Sequence, residues 1–138
     1  MSEDEGFDPR REIRVVHYHG DTVRILFIGA ALLVFLTQFI GTKLPFSTGG
    51  LMFIIVVLVV AAGITNPVQK WIHWVNIVIS IIGLTIFGGL ALSRASADAS
   101  VFSESGLVAL LAILFVAALY LGTRTVRGLM VPHIPQGR

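Results

Sequence analysis

The sequence predicts an all-α fold, a polytopic membrane protein whose four transmembrane helices form an up-down bundle. Three observations carry that expectation. Charged residues make up only 13% of the 138 positions while hydrophobic ones make up 55%, and the mean hydropathy is +0.87. A soluble domain carries about 25% charged residues, because a water-facing surface needs them. Second, four apolar stretches are each long enough to cross a hydrocarbon core of about 30 Å at about 1.5 Å per residue. Third, those stretches are separated by segments rich in turn and capping residues.

The first stretch covers 22–41 and has no ionisable residue after Arg24. Asp21 stands before it, where an N-cap belongs. Gly41 can close it in a left-handed conformation, and Pro45 disfavours continuation. The second stretch covers 46–65 and contains LMFIIVVLVVAAGI. Its β-branched run at 54–60 resembles a strand, but the stretch is about twice the length of a membrane strand and lacks alternation. The third covers 67–93 and opens on Asn66-Pro67-Val68-Gln69, with Asn66 as N-cap, Pro67 at the first helical position and Gln69 at the third. The fourth covers 104–124 after the longest connection, with Ser103 as N-cap and Glu104 facing the positive helix end. The short first and second connections predict that helices 1 and 2, and helices 2 and 3, are antiparallel neighbours.

Lys and Arg counted by side set the orientation. Arg10, Arg11, Arg14, Arg24, Lys70, Arg124, Arg127 and Arg138 fall on one side, against Lys43 and Arg94 on the other. The prediction is therefore a multi-pass membrane protein with a cytoplasmic tail at 1–21, a membrane domain at 22–127 and a cytoplasmic tail at 128–138. Trp71 and Trp74 fit an interfacial belt, and Arg24, Lys70, Arg124 and Arg127 fit the headgroup level. The acidic start SEDE and the length of the first apolar stretch do not fit a cleavable signal peptide.

Candidate chemistry is sparse. There are no cysteines, which excludes disulfides and thiolate metal sites. His17, His19 and Asp21, in His17-Tyr18-His19-Gly20-Asp21, present two imidazoles and a carboxylate to a divalent metal. The alternative is that they dwell in the headgroup zone while Asp21 caps the helix. His73, Asn76 and Ser80 share one face of the third helix, either lining a polar pathway or making interhelical hydrogen bonds. Gly29-Ala30-Ala31, Gly83, Gly88, Gly89, Ala118 and Gly122 mark packing seams, within one chain or between copies. Away from their ends the spans hold no Asp, Glu, Lys or Arg, the groups on which ion-coupled transport depends. No nucleophile with a nearby base, paired carboxylates or phosphate-binding glycine loop appears, so no enzyme activity is expected.

Two segments, HYHGDTVRILFI at 17–28 and NPVQKWI at 66–72, resemble segments of small four-span bacterial membrane proteins that have no assigned activity. The resemblance implies a bacterial inner membrane and four spans, and marks HYHGD and NPVQK as the segments to mutate. The leading functional expectation is a non-enzymatic subunit, scaffold or assembly factor acting through helix or lipid contacts. The alternatives are a homo-oligomeric channel or carrier, and a metal or pH sensor built on HYHGD. Membrane lipid, a second copy or another membrane protein are the expected partners. Nucleic acid is not, and no cofactor is expected beyond a divalent metal at the histidines.

Overall fold

A computed structural model describes residues 20–65, 69–95 and 103–130. These residues form four helices, α1 (Gly20–Ile40), α2 (Thr48–Ile64), α3 (Lys70–Ser93) and α4 (Glu104–Met130). The described residues are all-α. Helices α1, α3 and α4 are each long and apolar enough to cross a membrane, and α2 is a shorter apolar helix of 17 residues.

Local chemistry explains most of the helix ends. Gly41 takes φ +77° and closes α1, as its position after the apolar run predicts. Helix α2 starts two residues later than the sequence implies. Ser47 is its N-cap, in extended conformation, and its hydroxyl accepts from the Gly50 N–H at 3.2 Å. Asp21 is not an N-cap but lies in the first turn of α1, where its carboxylate still faces the positive end of the helix. Helix α3 also differs. It begins at Lys70, so Gln69 is the N-cap and not the third helical residue, and its side chain makes no capping bond. Asn66 and Pro67 lie outside the described residues. Ser103 does cap α4, its hydroxyl accepting from the Gly106 N–H at 3.2 Å and its carbonyl from the Leu107 N–H at 3.0 Å. Helix α4 runs past Arg124 to Met130, because no helix breaker occurs before Pro132.

The helices alternate in direction. Arg94 meets Glu104, Gly83 and Phe87 meet Phe115, and Ile77 meets Gly122, so α3 and α4 run antiparallel along their whole length. Helix α4 packs on α1 in turn, and α1 packs on α2. The spatial order is therefore α2, α1, α4, α3. The expected pairing of α1 with α2 is present, but α2 barely touches α3 despite the short connection between them. The buried residues of α2 are Leu51, Leu58, Ala61 and Ala62, whereas its large Phe53 and Val56 face outward. A short connection restrains only the joined ends of two helices, and side-chain fit decides the rest.

Small residues make the tight contacts. A Cβ at Gly83 would fall 2.3 Å from the Phe115 ring, and one at Gly122 would fall 3.3 Å from Ile77. Ala30, Ala31 and Ala118 are also buried in the interior. These seams thus work within one chain. Gly49, Gly63 and Gly89 face open space instead. Phe87 and Phe115 stack at 5.6 Å with planes 3° apart, at the centre of the α3–α4 seam. The exterior is apolar on every helix, with Phe39 73%, Phe53 70% and Leu92 80% exposed. Such a surface suits hydrocarbon and is too apolar to face water.

Candidate functional site

Antiparallel packing sorts the predicted interface residues to one end of the bundle. Arg24 lies one turn into α1, Lys70, Trp71 and Trp74 open α3, and Arg124 and Arg127 occupy the last turns of α4. All six are exposed. Their aliphatic and aromatic bodies can lie on the apolar flank while the polar tips reach the bundle end.

His17 and His19 lie outside the described residues. Asp21 is exposed in the first turn of α1, three residues before the exposed Arg24. Among the described residues no group of three His, Cys, Asp or Glu side chains is placed to hold a metal ion.

The polar face of α3 turns inward. His73 and Asn76 are each 2% exposed and Ser80 is fully buried. Ser80 donates to the Asn76 carbonyl at 2.8 Å, one turn back along its own helix. The Asn76 amide donates to the Thr65 hydroxyl at 3.1 Å, and that hydroxyl donates to the Ala61 carbonyl at 2.8 Å. A short polar relay thereby ties α3 to the last turn of α2. Buried side-chain hydrogen bonds of this kind hold helices together in an apolar medium. The Asn76 and Ser80 bonds are of the packing kind, while the buried Asn76 Oδ1 accepts no hydrogen bond among the described residues. Sequence spacing puts the three on one face but gives no sign of Thr65 as the partner.

The opposite end holds a second tie. Arg94, at the end of α3, donates from Nη2 to the Lys43 carbonyl at 2.6 Å, while its Nη1 lies 3.8 Å from Glu104 Oε2. The latter is an ion-pair distance, longer than a hydrogen bond. The Lys43 N–H reaches Glu104 Oε1 at 3.4 Å. The α1–α2 loop, the end of α3 and the start of α4 are joined here, and the Lys43 side chain stays exposed.

Between these two ties the gap between α2 and α3 forms a groove of about 390 Å³. Its walls are Phe46 of the preceding loop with α2 from Gly50 to Leu58, and α3 from Ile79 to Phe87, and Phe115 of α4 forms its floor. Every lining residue is glycine or apolar. Sequence reading missed this groove, since it expected α2 and α3 to be packed neighbours. The size and openness of the gap depend on which small residue meets which large one, which no single span reveals.

No family model, curated protein or solved structure matches this chain. The groove and the two polar ties therefore have to be interpreted from their own chemistry.

Proposed function

We propose that this chain is a four-span integral membrane protein that acts without catalysis, as a subunit, scaffold or assembly factor working through lateral contacts with helices or lipid. One observation carries the reading. All four helices turn apolar side chains outward, while the Asn76 amide N–H and the Ser80 hydroxyl of α3 are hydrogen-bonded inside the bundle. What is offered to the surroundings is lateral apolar surface and the groove between α2 and α3.

Helix α2 is the fourth span in this proposal. Its 17 residues sit at the short end of the range of about 17–25 that crosses a bilayer. The six exposed basic and Trp residues at one end favour that end as the cytoplasmic face, in keeping with the excess of Lys and Arg on the inner side. Both termini then lie inside, and the resemblance at HYHGD and NPVQK favours a bacterial inner membrane. Reporter fusions placed after each helix test this topology. An external reporter signal after α4 would overturn it.

The function is tested by tagged purification from native membranes in mild detergent, with native mass determination. A stoichiometric membrane protein partner is the expected result, and that partner's activity defines the role. Specific solute flux through the purified chain in liposomes would refute the reading.

A further inference from the structure

We propose that the end of the bundle carrying Arg24, Lys70, Arg124 and Arg127 selects anionic phospholipid, whose headgroups sit among these cations beside Trp71 and Trp74. The inference rests on the membrane-spanning reading above, but not on which side faces the cytoplasm. It goes further by naming the class of lipid that this end prefers.

Helix register gathers these residues into one belt. Arg94 meets Glu104, Gly83 meets Phe115 and Ile77 meets Gly122, so each step along α3 is matched by a step back along α4. Continuing that register brings Trp74 level with Arg124, and Lys70 and Trp71 level with the turn that holds Arg127. Against α1, a Cβ at Gly29 would lie 4.0 Å from Leu114 Cδ1. Arg24 lies five residues before Gly29 and so falls level with Leu119 and Tyr120, about one turn from Arg124. Helical side chains lean toward the N-terminus of their own helix. Arg24 thus leans toward the end of the bundle, while Arg124 and Arg127 lean back toward its middle. The guanidinium groups converge on one level.

Two features of the belt choose its occupant. The first is charge. Among the described residues at this end, four exposed cations stand against one acid, Asp21, and none of the four makes an ion pair. At the opposite end Arg94 is instead tied to the Lys43 carbonyl and to Glu104. The second feature is what lies beneath the charges. Arg24 stands over the exposed Ile28 and Leu32 of its own helix, and Arg124 over the exposed Tyr120 and Val116. The occupant must therefore be anionic at one level and hydrocarbon directly below it. A free phosphate or an acidic loop meets only the first demand, and an uncharged helix only the second. A phospholipid with a net negative headgroup meets both, whereas a zwitterionic one offsets its phosphate with its own ammonium group.

Trp71 and Trp74 are the chain's two tryptophans, so tryptophan fluorescence reports on the belt alone. The test places the full chain in phosphatidylcholine vesicles into which brominated phosphatidylglycerol or brominated phosphatidylcholine is introduced stepwise. Brominated phosphatidylglycerol is expected to quench at the lower mole fraction. Its relative affinity should be roughly fivefold that of phosphatidylcholine, the scale of one Lys or Arg beside an anionic surface. The preference should fall as salt rises from about 0.1 to 1 M and the Debye length shrinks from about 10 to 3 Å. The combined variant Arg24→Gln/Arg124→Gln/Arg127→Gln should lose the preference, and Lys43→Gln at the opposite end should keep it. Equal quenching by the two lipids in the parent chain would overturn the proposal. So would an equal loss of preference in the combined variant and in Lys43→Gln. Weak quenching by both lipids would overturn it too, because a second copy would then cover the belt. If the combined variant loses its helical circular dichroism, the salt series on the parent decides, and a preference indifferent to salt sinks the idea. Release from carbonate-washed membranes would remove the membrane reading itself. A chain that stays in the washed membrane yet shows no lipid preference ends this inference alone.

Discussion

The α3–α4 seam and the α2–α3 gap bring together helices of the same apolar character, yet one is packed throughout and the other is open. The tight pair is joined by the longer connection and the loose pair by the shorter. Connection length thus brings two helix ends together but does not decide whether their flanks pack. The deciding feature is a small residue opposite a large one. Gly83 receives the Phe115 ring and Gly122 receives Ile77, whereas α2 turns no glycine of that kind toward α3. In lipid this matters more than in water, because the hydrocarbon surroundings are as apolar as any helix flank and only close fit and hydrogen bonds favour association.

The sharpest way to break the contrast is to remove the large member of the tight pair. Phe115→Ala would leave a void at the centre of the α3–α4 seam, next to Phe87 and Gly83. We expect a loss of about 3 kcal/mol, the low end for a buried Phe→Ala change, because the transfer part of that cost largely vanishes in lipid. Unfolding in mixed detergent–dodecyl sulfate micelles measures it. Since Phe115 also floors the groove, the same variant should widen the α2–α3 gap. A loss below that of an exposed control such as Ile113→Ala would show that the seam is not where stability lies.

Overfilling the small member comes next. Gly83→Ala places its Cβ 2.3 Å from an aromatic ring, so either α3 or Phe115 must move. Overpacking of this kind costs about 1–3 kcal/mol. Gly63→Ala in α2 meets open space, and should be neutral or stabilising by up to about 1 kcal/mol through the gain in helix propensity. Opposite signs for the two substitutions, read as shifts in the same unfolding curve, support the seam. Equal effects would dissolve the contrast between them.

The gap has a hydrogen-bonded tie of its own, from Asn76 to Thr65. A double-mutant cycle with Asn76→Ala and Thr65→Val should give a coupling of about 0.6 kcal/mol, the average for such bonds in a membrane protein. The tie closes one end of the gap only. Its loss should therefore increase the separation of α2 and α3, measured by distances between spin labels on their exposed faces, with little change between α3 and α4. An equal spread in both pairs would mean that Asn76 acts on the whole bundle.

How much of this was legible in the sequence follows from the range of each interaction. The four apolar stretches, the Gly41 stop and the Ser103 cap depend on residues within a turn or two, and all appear at or near their expected places. The interior position of His73, Asn76 and Ser80 was half legible, because spacing identifies a shared face but not what covers it. The open flank of α2 was not legible, since it arises from residues on three helices that sequence distance separates. Helix ends also moved where two signals compete. Pro67 promises an early start to α3, yet the helix begins at Lys70, and Arg124 reads as a terminus although nothing there prevents another six residues of helix.

The smallest expected effect concerns the charged tie at the far end, where the loop after α1 meets α3 and α4. Glu104 is 52% exposed and its ion pair with Arg94 is long, at 3.8 Å. Exposed pairs of this kind contribute about 0–1 kcal/mol, so Glu104→Gln should shift unfolding by no more than about 0.5 kcal/mol. Arg94→Ala removes the same pair together with the 2.6 Å bond to the Lys43 carbonyl, and should cost more. The difference between the two variants isolates the bond to the loop backbone. Because that bond fixes the loop backbone at Lys43, Arg94→Ala should loosen the loop before it loosens the helices. Faster hydrogen exchange at the Lys43 and Leu44 amides, with the α3–α4 seam unchanged, is the expected signature. Identical exchange in the two variants would mean that the loop is held by Glu104 alone, through its contact with the Lys43 N–H.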